Sequence, residues 1–171
     1  MAKQVAILIE EMYNEYEFIY PYYRMIEAGC EVTVVGTGRK KSYPSKVGLP
    51  AEETISAVNA DPARFDAVII PGGFAPDFMR RDPAMVNLVR EVYNRGGVVA
   101  AICHGGWMLA SAGIVKGKQV TSFFAIKDDL INAGAEYLDR EVVVDGNLVT
   151  SRMPGDLPAF CKAVLEKMGL V

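Results

Sequence analysis

Val98-Val99-Ala100-Ala101-Ile102-Cys103-His104-Gly105-Gly106 is the stretch that decides how this chain folds. Five apolar residues in a row suit a short strand covered on both faces. The run ends directly in a nucleophile-type residue, then two glycines, then a helical segment over Gly105 to Ala112. That order is the logic of a nucleophile elbow, in which the turn is so tight that its neighbours must be small and the side chain stands clear above the sheet. A helix N-terminus beneath the thiol predicts a lowered cysteine pKa. An isolated free cysteine is ordinarily a small core residue, and the other two read that way. Cys30 alternates with Val32 and Val34 on one strand face, and Cys161 lies on the apolar face of the last helix. The context of Cys103 reverses that reading. His104 is the only histidine, so Cys/His catalysis within one chain must use it.

Outward from the elbow, the same alternation repeats. Val5 to Ile9 is a continuous apolar run, Glu15 to Ala28 has helical spacing with Gly29 as its stop, and Cys30 to Val35 reads as a second strand. Ser42 to Glu53, with Pro44, Gly48 and Pro50, reads as a hairpin or excursion at the sheet edge. Ala67 to Ile70 is a third buried strand, stopped by Pro71-Gly72-Gly73. Asp82-Pro83 starts a helix, with Asp as N-cap and Pro at the first helical position; Val86, Val89, Val92 and Tyr93 are expected on its inner face. Lys127 to Asn132 looks helical. Asp145-Gly146-Asn147 marks a hairpin turn between Val142–Val144 and Leu148–Ser151. Leu157, Phe160, Cys161, Val164, Leu165 and Met168 share one face of a final helix. Strands alternating with helices predict a mostly parallel sheet with helices on both faces. Ligands of such sheets sit beyond the carboxyl ends of the strands, where the Cys103 turn and Pro71-Gly72-Gly73 both fall. Glycine backbone N–H groups there, with that of His104, suit an oxyanion hole.

Length and composition narrow the function classes. The chain has 171 residues, which suits one α/β domain over residues 1–171. Its net charge of −3 gives no pull toward nucleic acid or an anionic membrane. The basic run Arg39-Lys40-Lys41 is short and reads as a solvated loop. No apolar run approaches the ~18 residues of a membrane span. Met1-Ala2-Lys3 enters a strand-like run at once, without signal-peptide architecture. Three widely spaced cysteines make no disulfide framework, which together predicts a reducing, cytoplasmic setting. One histidine and no Cys-x-x-Cys argue against a metal site. Gly36-Thr37-Gly38 lacks the rest of a dinucleotide fingerprint, and no cofactor is expected.

Several segments in combination resemble the ThiJ/PfpI superfamily, in particular its PfpI intracellular-protease branch. They are Ile19-Tyr20-Pro21-Tyr22, Phe65-Asp66-Ala67 with the strand into Pro71-Gly72-Gly73, and Ala101-Ile102-Cys103-His104-Gly105. Downstream follow Ile126-Lys127-Asp128-Asp129, Asn132-Ala133-Gly134-Ala135-Glu136, Glu141 to Asn147 and Thr150-Ser151-Arg152. The resemblance spans nearly the whole chain. It implies a flavodoxin-like three-layer sandwich related to class I glutamine amidotransferases, and homo-oligomers that are dimers or assemble further into hexamers. It implies Cys103 as nucleophile, His104 as its base, and Gly72, Gly73 and the His104 backbone as oxyanion hole. Asp77 matches the acid that an adjacent subunit supplies to orient the histidine. Members are described as peptidases, as deglycases of glycated protein or nucleotide adducts, and as glyoxalase-like enzymes; several resist stress through oxidation of the elbow cysteine.

Two positions depart from the family pattern. The glutamate expected near the thiol after the first strand falls, on an ungapped reading, at Asn14; Glu15 or Glu17 replaces it only if the local backbone shifts. Trp107 follows the glycines where relatives commonly have proline, and either remodels the pocket mouth or packs against it. The leading expectation is a cysteine hydrolase of small-molecule, glycated or peptide substrates, acting through a covalent intermediate resolved by water. The alternative is a non-hydrolytic oxidative-stress or chaperone-like protein that senses through oxidation of Cys103; Asn14 in place of the glutamate favours it.

Overall fold

A computed structural model describes residues 1–171. In chain order its strands and helices are β1 (Gln4–Leu8), α1 (Glu15–Glu27), β2 (Glu31–Gly36), β3 (Ser42–Pro44), β4 (Pro50–Glu52), β5 (Ile55–Ser56), β6 (Ala67–Ile70), α2 (Ala75–Met79), α3 (Pro83–Asn94), β7 (Val98–Ile102), α4 (Gly106–Ala112), β8 (Gln119–Val120), α5 (Lys127–Asn132), β9 (Glu136–Tyr137), β10 (Val142–Asp145), β11 (Leu148–Ser151) and α6 (Leu157–Lys167). Seven strands form the main sheet in the order β10-β11-β7-β6-β1-β2-β5. Every pairing in it is parallel except the β10–β11 hairpin. Helices α1 and α6 pack on one face, and α2, α3, α4 and α5 on the other. This is the flavodoxin-like α/β sandwich.

The register explains the composition of the strands. Val34, Ile7, Ile69, Ala100 and Val149 lie side by side across five strands, and all are buried. A strand with helices on both faces has no solvent side, so it carries no alternation. Of the buried apolar residues, 45 join into one cluster.

The helices follow their capping signals. Asp82 accepts the Ala84 N–H at 2.9 Å and Pro83 opens α3. The buried stripe of α3 is Met85, Leu88, Val89 and Val92. Val86 and Tyr93, expected there from the sequence, are only partly buried; the stripe is rotated by about one position. On α6 the residues assigned to the inner face are all buried. Ser42 to Glu53 forms an antiparallel two-stranded hairpin, as read. The parallel pair β8–β9 and the short helix α2 carry no sequence signal of their own. No helix is long and apolar enough to cross a membrane.

Candidate active site

β1, β6 and β7 run side by side, so the loops after their carboxyl ends meet. Tyr13 in the first loop bridges to Gly73 in the second, with Asn14 N donating to the Gly72 carbonyl at 3.1 Å and Phe74 N to that of Met12 at 2.9 Å. No bulkier residue fits at the glycine pair. A Cβ at Gly72 would lie 2.5 Å from Glu17 Oε2 and 2.7 Å from Cys103 Cβ; one at Gly73, where φ is +79°, would meet the Met12 carbonyl oxygen at 2.4 Å.

Cys103 occupies the turn between β7 and α4 with φ 59°. That left-handed backbone is strained for a non-glycine residue and concentrates at functional sites. Cys103 and Met12, whose φ is 61°, are the two non-glycine residues with positive φ, and both belong to this strand edge. The thiol borders a cavity of about 290 Å³ lined by Asn14, Glu17, Lys46, Phe74, His104, Phe123 and Met153, among others.

The carboxyl beside the sulfur is Glu17, not Asn14. Asn14 borders the cavity, but its side chain caps α1, accepting the N–H groups of Tyr16 at 3.1 Å and Glu17 at 3.3 Å. An N-cap side chain is turned toward the first helical turn, so it is not free to serve the thiol. Glu17 lies on the buried stripe of α1 with Phe18, Pro21 and Met25. Its Oε2 accepts the Gly72 N–H at 2.7 Å, its Oε1 is buried with no hydrogen-bond partner, and its carboxyl lies close enough to the Cys103 thiol for the two to influence each other's proton. The expected glutamate is therefore present, one turn further along.

This arrangement also bears on the oxyanion hole expected of Gly72, Gly73 and His104. The Gly72 N–H is committed to Glu17. The N–H groups of Gly73 and His104 remain, and both favour the thiolate of Cys103.

Burial pushes Glu17 up to about 7, against the pull of the Gly72 N–H. Burial and the Glu17 charge push Cys103 up to about 12, opposite to the lowering expected from the helix beneath it. Helix α4 is short and follows a turn of 3₁₀ helix, and desolvation outweighs it. The two groups titrate as a pair: both protons are held below about pH 7, one above it.

His104 Nδ1 lies 3.3 Å from Cys103 Sγ. The ring is stacked near Phe123 at 5.2 Å and Phe74 at 6.4 Å, with Trp107 edge-on at 5.1 Å. Burial, with the positive charge of Lys46, holds the imidazole below its usual range, so it is neutral and able to accept a proton at neutral pH. Trp107 packs behind it: its Nε1 donates to Asp129 at 2.8 Å and the Arg80 guanidinium lies 5.5 Å over its ring. Asp77, on α2, is partly exposed and pairs with Arg81. Cys30 and Cys161 are buried elsewhere, and burial raises the pKa of both. No group of three or more His, Cys, Asp or Glu side chains is placed to hold a metal ion.

A sequence profile described as the DJ-1/PfpI family matches residues 3–167. Deglycase PfpI of Pyrococcus furiosus is 43% identical over 169 residues, covering 95% of this chain and 98% of that protein. Protein/nucleic acid deglycase 2 of Escherichia coli is 42% identical over 173 residues, covering 99% of each. Among solved structures, a two-domain protein of Anabaena variabilis with DJ-1/ThiJ/PfpI-like and ferritin-like domains superimposes with a TM-score of 0.95 at 48% identity. It covers 98% of this chain, which spans 48% of that longer one. The profile match over nearly the whole length, and relatives above 40% identity matched end to end, establish that the chain belongs to the DJ-1/PfpI family.

Proposed function

We propose that this protein is a cysteine hydrolase of the deglycase type, removing small carbonyl adducts from proteins, peptides or nucleotides. The observation that carries the reading is the strained Cys103, set between a buried carboxyl and a neutral imidazole at one cavity. Relatives named deglycases match the chain over its length.

Each group has a task that its position suits. Loss of one proton from the Glu17–Cys103 pair allows a thiolate beside a protonated carboxyl, held by the N–H groups of Gly73 and His104. An adduct that releases its amine or thiol leaves an aldehyde, which the sulfur captures as a hemithioacetal. Its new alkoxide faces the same two N–H donors. The alkoxide takes the carboxyl proton of Glu17; the carboxylate so formed removes the C–H proton of the carbinol carbon and returns it to the neighbouring carbonyl carbon, which converts the hemithioacetal into a thioester. Water, deprotonated by His104, then expels the sulfur and frees a hydroxy acid. The net reaction consumes one water and needs no external oxidant or reductant. A peptide substrate would use the first attack, collapse of the tetrahedral intermediate with its amine leaving on the proton held by Glu17, and the final attack by water.

Glu17 removes the ground on which Asn14 favoured the non-hydrolytic redox reading, so hydrolysis takes precedence. The setting this reading suits is the cytoplasm, where thiols stay reduced. It includes assembly of at least two copies through α1, where Tyr16, Tyr20, Tyr23 and Ile26 are exposed and Val47 adjoins them. Asp77 of one copy would then approach His104 of the next. Light scattering at micromolar concentration tests the assembly; a monomer would remove the shared acid. The deciding test of function is a panel of methylglyoxal adducts and fluorogenic peptides with the wild type and Cys103→Ser. Turnover that survives the substitution would overturn the reading.

A further inference from the structure

Lys46 is the one cationic side chain among the residues bordering the Cys103 cavity. It is not on a free loop. Ser45 bridges to Tyr13, and the Lys46 N–H donates to the Tyr13 carbonyl at 3.0 Å. The Ser45 hydroxyl accepts the N–H groups of Val47 at 3.2 Å and Leu49 at 3.0 Å, closing the turn that follows. Tyr13 is itself wholly buried and bridged to Gly73, so this turn is tied to the strand edge that carries the sulfur.

The ammonium has no carboxylate within ion-pairing distance, although ten such contacts are made elsewhere. The side chain is exposed and accessible from solvent. Glu17, His104 and Cys103 border the same cavity, with Phe74, Phe123 and Met153 as apolar walls. Its charge reaches the centre, since it lowers the pKa of both Glu17 and His104. A cavity with apolar walls, one nucleophile and one unpaired cation is complementary to a small body with one anionic end.

We infer that Lys46 seats an oxoanion of the substrate, and that the preferred substrates of Cys103 are small carbonyl compounds or adducts carrying a carboxylate or phosphate. This rests on Cys103 being the reactive thiol and deepens the deglycase reading by naming the substrate's charge.

Alkylation tests the anion seat without requiring turnover. Iodoacetate and iodoacetamide differ in little but charge, and mass spectrometry reads the modification of Cys103. The iodoacetate-to-iodoacetamide rate ratio at Cys103 should exceed that of the denatured chain's thiols by about tenfold, the scale of one charge-assisted contact. Lys46→Met should remove the excess, Lys46→Arg retain it and Lys46→Glu invert it. A ratio equal in the wild type and Lys46→Met would overturn the inference. The turnover arm compares methylglyoxal hemithioacetals of N-acetylcysteine and of its amide, and methylglyoxal adducts of guanosine 5′-monophosphate and guanosine. The first pair reads a carboxylate and the second a phosphate; in either, a charged-to-neutral kcat/KM ratio that falls in Lys46→Met supports the seat. If the alkylation ratio depends on Lys46 while no adduct is turned over, the deglycase reading fails and the anion seat stands. If adducts are turned over with neither ratio depending on Lys46, the seat fails and the deglycase reading stands.

Discussion

Cys103 and Cys161 are both buried, with 8% and 1% of their surface exposed, and burial pushes both thiols up to about 12. By burial alone they are alike. Around Cys161, on the inner face of α6, the structure places an apolar core. Around Cys103 it places the Glu17 carboxyl, an imidazole nitrogen and two N–H groups. On the proposed reading, in which Cys103 is the nucleophile, the contrast teaches that such a thiol need not be an intrinsically acidic one. What distinguishes it is a neighbour able to take the proton and a backbone able to take the charge.

The widest separation between the two thiols should appear on exchange to serine. Cys103→Ser is expected to lower adduct turnover at least about 10³-fold while the protein stays folded. Cys161→Ser should keep turnover and lose about 1–3 kcal/mol of stability, because a hydroxyl is left in an apolar core. Denaturant melts and steady-state assays on both variants decide it; a loss of turnover in both would erase the contrast.

Glu17→Gln isolates the proton-sharing partner. It keeps a donor but cannot exchange a proton, so turnover should drop about 10²–10³-fold. The wild-type rate should rise with pH through about 7, where the pair loses its first proton, and that limb should vanish in the variant. A pH–rate profile unchanged by the substitution would return Glu17 to a structural role.

In the native protein, iodoacetamide should label Cys103 at least about tenfold faster than Cys161 or Cys30, since access and a partner for the proton meet only at Cys103. Equal rates, read by peptide mass mapping, would dissolve the comparison.

Glu17 also ties the site to stability. Its folded pKa of about 7 lies above the ordinary 4.5, so between these values the folded state binds more protons than the unfolded. Stability from this group is therefore lost as pH rises from about 4.5 to about 7, by up to roughly 3 kcal/mol. Relative to Glu17→Gln, wild-type Tm should fall across that window; parallel Tm curves would refute the buried carboxyl's raised pKa. The smallest effect belongs to Asn14→Ala, which should cost about 1 kcal/mol as a lost helix cap and leave the pH dependence of Cys103 alkylation unmoved.

Sequence patterns carried the sheet and the elbow well, because the signals there are local. The unbroken apolar runs of β1, β6 and β7 and the Asp145-Gly146 turn each fix their own element. The strands of β8 and β9 are two residues long, too short for any period to register. The inner face of α3 was displaced because Val86 and Tyr93 alternate closely with the buried Met85 and Val92. Glu17 comes second to Asn14 in the sequence reading because an ungapped count along the loop after β1 ends at Asn14, whereas the chain there turns into a helix. A signal did exist. Glu17 is in helical phase with Phe18, Pro21 and Met25, and a charged residue on a buried stripe needs a partner. The partner is 55 residues away at Gly72, a distance that no local window spans.

The left-handed backbone at Cys103 bears on how this protein could be improved or eroded. An L-residue held there carries strain on the order of 1–2 kcal/mol that a glycine would not. Selection for thermal resistance alone therefore has no reason to retain the cysteine, and random drift under relaxed demand for turnover would be biased toward glycine at this position. On the proposed reading the thiol is kept at that cost for its chemistry, so among descendants of this sequence position 103 would serve as a record of whether the requirement was kept.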